Sequence, residues 1–471
     1  MSKTKQLDVT ENIMGTMPEG KLLFRMAIPM ILSVLVQSLY NLVDSIFVGQ
    51  MGDNALTAIS LATPIATILL SASFGVAIGV NAILSQKLGA RDIEGARKTA
   101  GNGVFLEVII WLIFAAFGAF GANAFLSFQT NVAEIQQMGT NYTAIISIFS
   151  IGLVIQTLAE RLLASTGKTT GSMIILATGA IVNIILDPIM IFGYFGMPAM
   201  GIAGAAWATV IGQFAGGIIG MTLHYAWNKE LRMNMASFMP KGELIRGILK
   251  VGVPSALTFA LTSVISFVMN MILIGFTTVA PAVYIIYVRI QNFVLMPVMG
   301  IRNTVVSIVA YNYGAQKKER IKNTIRLSLV SSTVVMFVGT MLFEILPTQL
   351  LGIFNASEQM IQIGVPALRI VGIAFVLTGV WNIFCGVFQA LGHSNKALLI
   401  SIVQIVVTLG AALLYSLTGN LNLVWTAFPT AEVFMFVSAI LLMRGVRADV
   451  IEMLPSEKET VISTKKYALA D

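Results

Sequence analysis

The 471-residue chain has one cysteine, two histidines and few charges, and each scarcity removes a class of function. Cys385 sits alone in an apolar run, so no disulfide forms within the chain and paired-thiol redox chemistry has nothing to work with. His224 and His393 are far apart without ligand-like spacing, so no metal site is expected. Only 11% of residues are charged, against about 25% in a soluble domain. Acids are missing altogether from 251 to 318. Six segments (50–54, 127–137, 194–201, 278–281, 348–357 and 419–422) contain no lysine or arginine. Residues 1–20 are polar and charged, with no short apolar stretch and small-residue cleavage site after them, so no cleavable signal is expected.

What the chain has in abundance is apolar sequence: 56% of residues are hydrophobic and the mean hydropathy is +0.85. That is the composition of an all-α integral membrane protein, because the apolar runs are continuous and do not alternate as barrel strands would. At about 20 residues per span, roughly a dozen helices fit. The apolar pattern places them near 22–49, 55–84, 101–126, 138–163, 172–193, 202–227, 248–277, 282–312, 324–347, 358–390, 397–418 and 423–444. The six segments without basic residues all follow odd-numbered spans. Loops after even-numbered spans carry Lys87, Arg91, Arg97, Lys98, Lys168, Lys229, Arg232, Lys241, Arg246, Lys317, Lys318, Arg320 and Lys322. Lys3 and Lys5 add to one end, and Arg447, Lys458, Lys465 and Lys466 to the other. The positive-inside rule then puts both termini in the cytoplasm of a multi-pass cell-membrane protein. The net charge of +7 is a topology signal, and no nucleic acid partner is expected.

The chain also repeats itself. Ala27-Ile28-Pro29 answers Gly252-Val253-Pro254 at an offset of 225 residues (254 − 29 = 225). Gln86-Lys87-Leu88-Gly89-Ala90-Arg91-Asp92-Ile93-Glu94 answers Asn312-Tyr313-Gly314-Ala315-Gln316-Lys317-Lys318-Glu319, with Gly89 opposite Gly314, and Ser165-Thr166-Gly167-Lys168 answers Ala390-Leu391-Gly392-His393. This divides the chain into a cytoplasmic arm (1–21), an N-terminal lobe of six spans (22–227), a basic linker (228–247), a C-terminal lobe of six spans (248–444) and a cytoplasmic tail (445–471). Six spans per half make the repeats parallel, related by an axis along the membrane normal, as in many alternating-access carriers. Gly167-Lys168-Thr169 resembles the end of a phosphate-binding loop, but Leu162 stands where its first glycine belongs and no strand is expected before it. ATP binding is not expected. Gly75/Gly79 and Gly212/Gly216/Gly220 have the spacing of close helix contacts.

Polar groups inside spans cost free energy and are read as functional candidates. Gln37, Asn41 and Asp44 fall on one stripe of the first span; Asn183 and Asp187 are one turn apart on the fifth, beside Pro188. Pro188 lacks an N–H and frees a carbonyl one turn back, which suits a cation site. With Thr209 of the sixth span, Asp44 and Asp187 are expected in one cavity of the outer half. Glu160 shares a face with Gln156 and adjoins Arg161, so an interfacial pair competes with a transport role. Glu107 is expected to meet Arg97 or Lys98. The second half offers Asn270, Gln291, Trp381 and Asn382 as substrate contacts, and Glu432 as the partner of Arg289 or Arg369. No set of residues for covalent or hydrolytic catalysis occurs within the spans, so no enzyme is expected.

These residues in combination resemble the multidrug and toxic compound extrusion (MATE) family over roughly 20–445. The similarity is carried by Ala27-Ile28-Pro29, by Gln37 through Gly49, by Ser85-Gln86-Lys87-Leu88-Gly89-Ala90, by Asn183 through Pro188 and by Gly204-Ala205-Ala206-Trp207-Ala208-Thr209. It is most similar to the DinF/MepA-like bacterial branch, since the seventh and tenth spans carry no acid of the NorM-like kind. The resemblance implies two pseudo-symmetric six-helix lobes, a coupling site at Asp44, Asn183, Asp187 and Thr209, and a bend in the first span at Pro29. It assigns Glu160 to an acid of MepA-like members. It also implies a monomeric antiporter exporting bulky, often cationic aromatic drugs across the lipid in exchange for H+ or Na+, without a cofactor. A lipid-linked precursor flippase of the same superfamily is the alternative, kept open by Arg289 and Arg369.

Overall fold

The computed structural model describes residues 12–354 and 356–455. Lys3, Lys5, Lys458, Lys465 and Lys466 of the charge pattern lie outside the described residues. Every regular element among the described residues is helical. In the N-terminal half these are α1 (Ile13–Thr16), α2 (Glu19–Gly49), α3 (Asp53–Gly89), α4 (Ile93–Phe120), α5 (Ala122–Gln129), α6 (Ala133–Ile148), α7 (Ile151–Ala164), α8 (Thr169–Phe192) and α9 (Ile202–Trp227). The C-terminal half follows as α10 (Gly242–Ile274), α11 (Ala280–Gly314), α12 (Lys318–Ile345), α13 (Pro347–Gly352), α14 (Glu358–Gly372), α15 (Phe375–Ala390), α16 (Ser394–Ser416), α17 (Leu421–Trp425) and α18 (Ala427–Val446). Among the described residues ten segments are long and apolar enough to cross a membrane, and two bent helix pairs bring the number to twelve.

Those two pairs correct the sequence reading. The segments 138–163 and 358–390 read as single spans, but α6 and α7 meet at 46° and α14 and α15 at 51°. The breaks fall at Phe149-Ser150 and Ile373-Ala374, without proline. At the first, Ser150 turns its Oγ onto the Ser147 carbonyl (2.8 Å) and Phe149 packs its ring on Trp207 (4.7 Å). The third span is also shifted: it begins at Ile93, where Asp92 Oδ1 accepts from the Gly95 N–H (2.8 Å), and ends at Phe120. Gly121 then turns the chain into α5, so 122–126 does not continue the span.

The internal repeat is visible in the backbone. Arg91 and Gln316, 225 positions apart, are the left-handed residues of equivalent turns (φ 59° and 55°). Gly167 and Gly392 match likewise (φ 82° and 77°), so the phosphate-loop resemblance is a tight turn shared by both halves. Lys168 closes that turn by donating to the Trp227 carbonyl at 2.6 Å and to Asn228 Oδ1 at 2.7 Å.

The halves join through reciprocal contacts near the face that carries the basic turns. A Cβ at Gly89 would stand 1.9 Å from the Tyr311 carbonyl oxygen, and one at Gly314, its repeat equivalent, 1.9 Å from that of Gln86. Gly75 lies against Gly252 and Ala256 while Gly300 lies against Ile31, again exchanging equivalent positions. Only glycine permits so close a backbone approach. Ser307 Oγ donates to Asn81 Oδ1 (3.1 Å) and Gln86 Nε2 to the Ala390 carbonyl (2.7 Å) across the same seam. The arm before α2 spans it from below. Asn12 Nδ2 donates to the Thr166 carbonyl of the first half, and the Met14 carbonyl accepts from Asn312 Nδ2 and Arg320 Nη2 of the second.

Candidate functional site

Helices α8 and α9 approach through glycines. A Cβ at Gly204 would lie 2.4 Å from the Met190 carbonyl oxygen, and one at Gly212 would lie 2.6 Å from that of Gly179 and 3.1 Å from the Asn183 Cβ. This close seam, made by the small-residue spacing seen in the sequence, sets Thr209 beside Asn183. Asn183 Nδ2 is 3.4 Å from both Thr209 Oγ1 and Asp187 Oδ1. From α2, Asp44 comes close enough to Asp187 for the two carboxylates to interact electrostatically. Asp187 and Asn183 are buried, and Asp44 and Thr209 half-buried. All four lie toward the helix ends remote from the termini.

Two tyrosines complete this cluster. Tyr40, one turn before Asp44 on α2, reaches the Thr209 side chain, and Tyr142 of α6 lies within the field of both carboxylates. Tyr40 was within reach of sequence reasoning, since it is at i−4 from Asp44 inside the family-like stretch. Tyr142 gives no such signal, because it lies on another helix, far from either acid in sequence. Asp44 Oδ1, Asn183 Oδ1 and Asp187 Oδ2 are buried without a hydrogen-bond donor among the described residues. Buried acceptors of this kind are costly unless something positive meets them. The set is all oxygen and carries two carboxylates, which suits a proton or a small hard cation.

Other expected members stand elsewhere. Asn41 is exposed. Gln37 and Glu160 line a cavity of about 230 Å³ between the halves, together with Phe74, Arg161, Phe259 and Arg302. α2 continues as one helix through Pro29, and α8 through Pro188. Ser33 Oγ donates to the Pro29 carbonyl at 2.8 Å.

In the second half, Arg289 and Arg369 are exposed, and neither pairs with Glu432. The carboxylate of Glu432 accepts from Trp381 Nε1 at 2.7 Å instead, beside Thr378. Gln291 meets the Tyr287 hydroxyl, Asn270 Oδ1 is buried without a partner among the described residues, and Asn382 accepts from Arg302 Nη1 at 3.2 Å. Gln291 and Trp381 thus meet around Tyr287 and Glu432, while Asn382 turns to Arg302. Glu107 does not reach Arg97 or Lys98 either. It is buried inside the first half, where Oε2 accepts from Ser73 Oγ at 3.0 Å, while Arg97 donates to the Glu230 carbonyl and Lys98 pairs with Glu94.

Comparison with known proteins agrees with this architecture. The MatE family model matches twice, over residues 29–189 and 254–414, the same 225-residue offset (254 − 29 = 225). Among curated relatives, the multidrug export protein MepA of Staphylococcus haemolyticus is 26% identical over 421 residues, covering 89% of this chain and 92% of its own. The probable multidrug resistance protein NorM of Thermotoga maritima is 25% identical over 386 residues, covering 82% and 83%. Among solved structures, one described as the outward-facing conformation of a multidrug resistance MATE family transporter of the MOP superfamily superposes with a TM-score of 0.88 at 22% identity. That match covers 94% of this chain and 99% of the other. A MOP superfamily transporter from Pyrococcus furiosus superposes with a TM-score of 0.86 at 23% identity, covering 94% and 98%.

Proposed function

The chain belongs to the MatE family of multi-pass membrane transporters, and on that premise we propose that it is a secondary active antiporter. It exports bulky aromatic, often cationic, drug-like compounds in exchange for H+ or Na+. The observation that carries the proposal is the convergence of Asp44 and Asp187, from two different helices, on Asn183 and Thr209, with carboxylate and amide oxygens left unpartnered. A carboxylate pair in a low-dielectric site repels itself until one positive charge is bound. Proton or sodium entry relieves that repulsion and favours one packing of α2 against α8; α2 lacks one internal hydrogen bond at Pro29 and adjusts there. Drug binding favours the other packing. The coupling is reciprocal: each ligand weakens the other by the same factor.

The distribution of lysine and arginine supports a cytoplasmic location for both termini. On that orientation the glycine seam closes the cytoplasmic side. Counterflow in proteoliposomes, with pH and sodium gradients imposed separately and a panel of aromatic cations as substrates, tests the proposal. Uptake driven by one of the gradients is expected. Equal accumulation with and without either gradient would refute antiport.

A further inference from the structure

We infer that the cavity between the halves is an oxyanion site, which holds the carboxylate of an aromatic amphiphile between Arg161 of the first half and Arg302 of the second. The inference rests on the export reading and narrows it to aromatic compounds that bear a carboxylate, whether or not they also bear a positive charge. The charged groups lining the cavity are Glu160, Arg161 and Arg302, so it carries one positive charge more than negative. All three are deeply buried, with exposures of 2%, 4% and 7%.

The one acid does not neutralise both bases. Glu160 Oε2 is 3.6 Å from Arg161 Nε, too long for a hydrogen bond, and that Nε is buried without an acceptor among the described residues. Among the described residues, Arg302 hydrogen-bonds to the neutral amide oxygen of Asn382, at 3.2 Å. The two guanidinium groups are near enough to repel one another. A desolvated excess positive charge is costly unless an anion meets it, and the planar guanidinium fork matches carboxylate or phosphate oxygens in pairs. The rest of the ligand is indicated by the walls. Phe74 of the first half and Phe259 of the second stand with ring centroids 6.1 Å apart, and Arg161 lies over the Phe74 ring at 5.9 Å. An aromatic body packs beside these rings, with its carboxylate toward the arginines. Each half supplies one arginine and one ring, so the ligand senses how the halves are arranged.

Direct binding to the purified full-length chain in detergent tests this, with dansylglycine fluorescence as the readout, dansylglycinamide as the uncharged control and dioleoylphosphatidylglycerol as a phosphate-bearing lipid. The expected result is a preference for the carboxylate over the amide of about tenfold or more, the scale of a buried charge contact. Arg161→Gln and Arg302→Gln each remove that preference. Glu160→Gln strengthens carboxylate binding, because it removes a competing negative charge, and this inverted sign keeps the test decisive should an arginine variant fail to fold. Equal binding of acid and amide, or weaker carboxylate binding in Glu160→Gln, overturns the assignment. Arginine-dependent binding of the phospholipid alone overturns it in favour of a lipid phosphate. No gradient enters this experiment, so a failure of ion coupling leaves its outcome unchanged. Gradient-driven export of dye cations without carboxylate preference would sink this inference alone.

Discussion

Gly89 and Gly314 occupy equivalent positions in the two halves, and each lies against the backbone of the other half, at Tyr311 and Gln86. The closed seam is thus made twice by one sequence feature. A methyl group at either site would collide with a carbonyl oxygen that belongs to a helix and cannot swing aside.

Gly89→Ala and Gly314→Ala are therefore expected to shift the population away from this closed seam while leaving insertion intact. A cysteine placed at Asn81, buried against Ser307 in a Cys385→Ser background, reports the change. Maleimide labelling at that position should rise severalfold in either glycine variant. Labelling that stays negligible in both would show that the seam tolerates the methyl groups.

Glu432 is held by the indole of Trp381 and has no arginine partner among the described residues. Trp381→Phe removes the donor and leaves a buried carboxylate short of a hydrogen bond, a loss of about 1–3 kcal/mol. Arg289→Gln should change stability by less than about 0.5 kcal/mol, as for an exposed residue. Thermal unfolding in detergent ranks the two. The reverse ranking would restore an Arg289–Glu432 pairing.

At the end of the described chain, Lys318, Lys322 and Arg447 surround Glu452 and hold its carboxyl down at about 2, below an ordinary 4.5. The sign follows from linkage. A folded value below the unfolded one means the contact is fully present above about 4.5 and is lost as the pH falls toward 2. Amide exchange across 447–454 should be pH-corrected to the same protection at pH 5 and pH 8. Glu452→Gln should lower that protection at both. A wild-type segment that loosens between pH 8 and pH 5 would contradict the assignment.

Much of the fold was legible because it follows from patterns one helix long. Span length, the basic turns and the 225-residue repeat are local or periodic signals, and Asn183 with Asp187 is one helical turn. What escaped depends on packing between helices. Hydropathy does not say which face of α11 turns inward: Arg289, expected to meet Glu432, is exposed, while the inward charge is Arg302, thirteen positions on (302 − 289 = 13). The bends at Phe149-Ser150 and Ile373-Ala374 lack proline, so no residue at the break signals them. Gln37 lies on the same helix as Asp44, yet it lines the cavity between the halves. Spacing alone groups it with Asp44; the structure groups it with Glu160 and the arginines.

The central claim is that Asp44 and Asp187 couple a cation to export, and gradient-driven transport in proteoliposomes by Asp44→Asn, Asp187→Asn and the double variant tests it most directly. Each single variant should insert and fold, bind substrate in detergent without the wild-type dependence on pH or sodium, and lose gradient-driven accumulation by about tenfold or more, as expected when a coupling free energy of 1–3 kcal/mol is removed. A double variant that still concentrates substrate against its gradient, with unchanged ion dependence, would contradict the account and place the coupling group elsewhere.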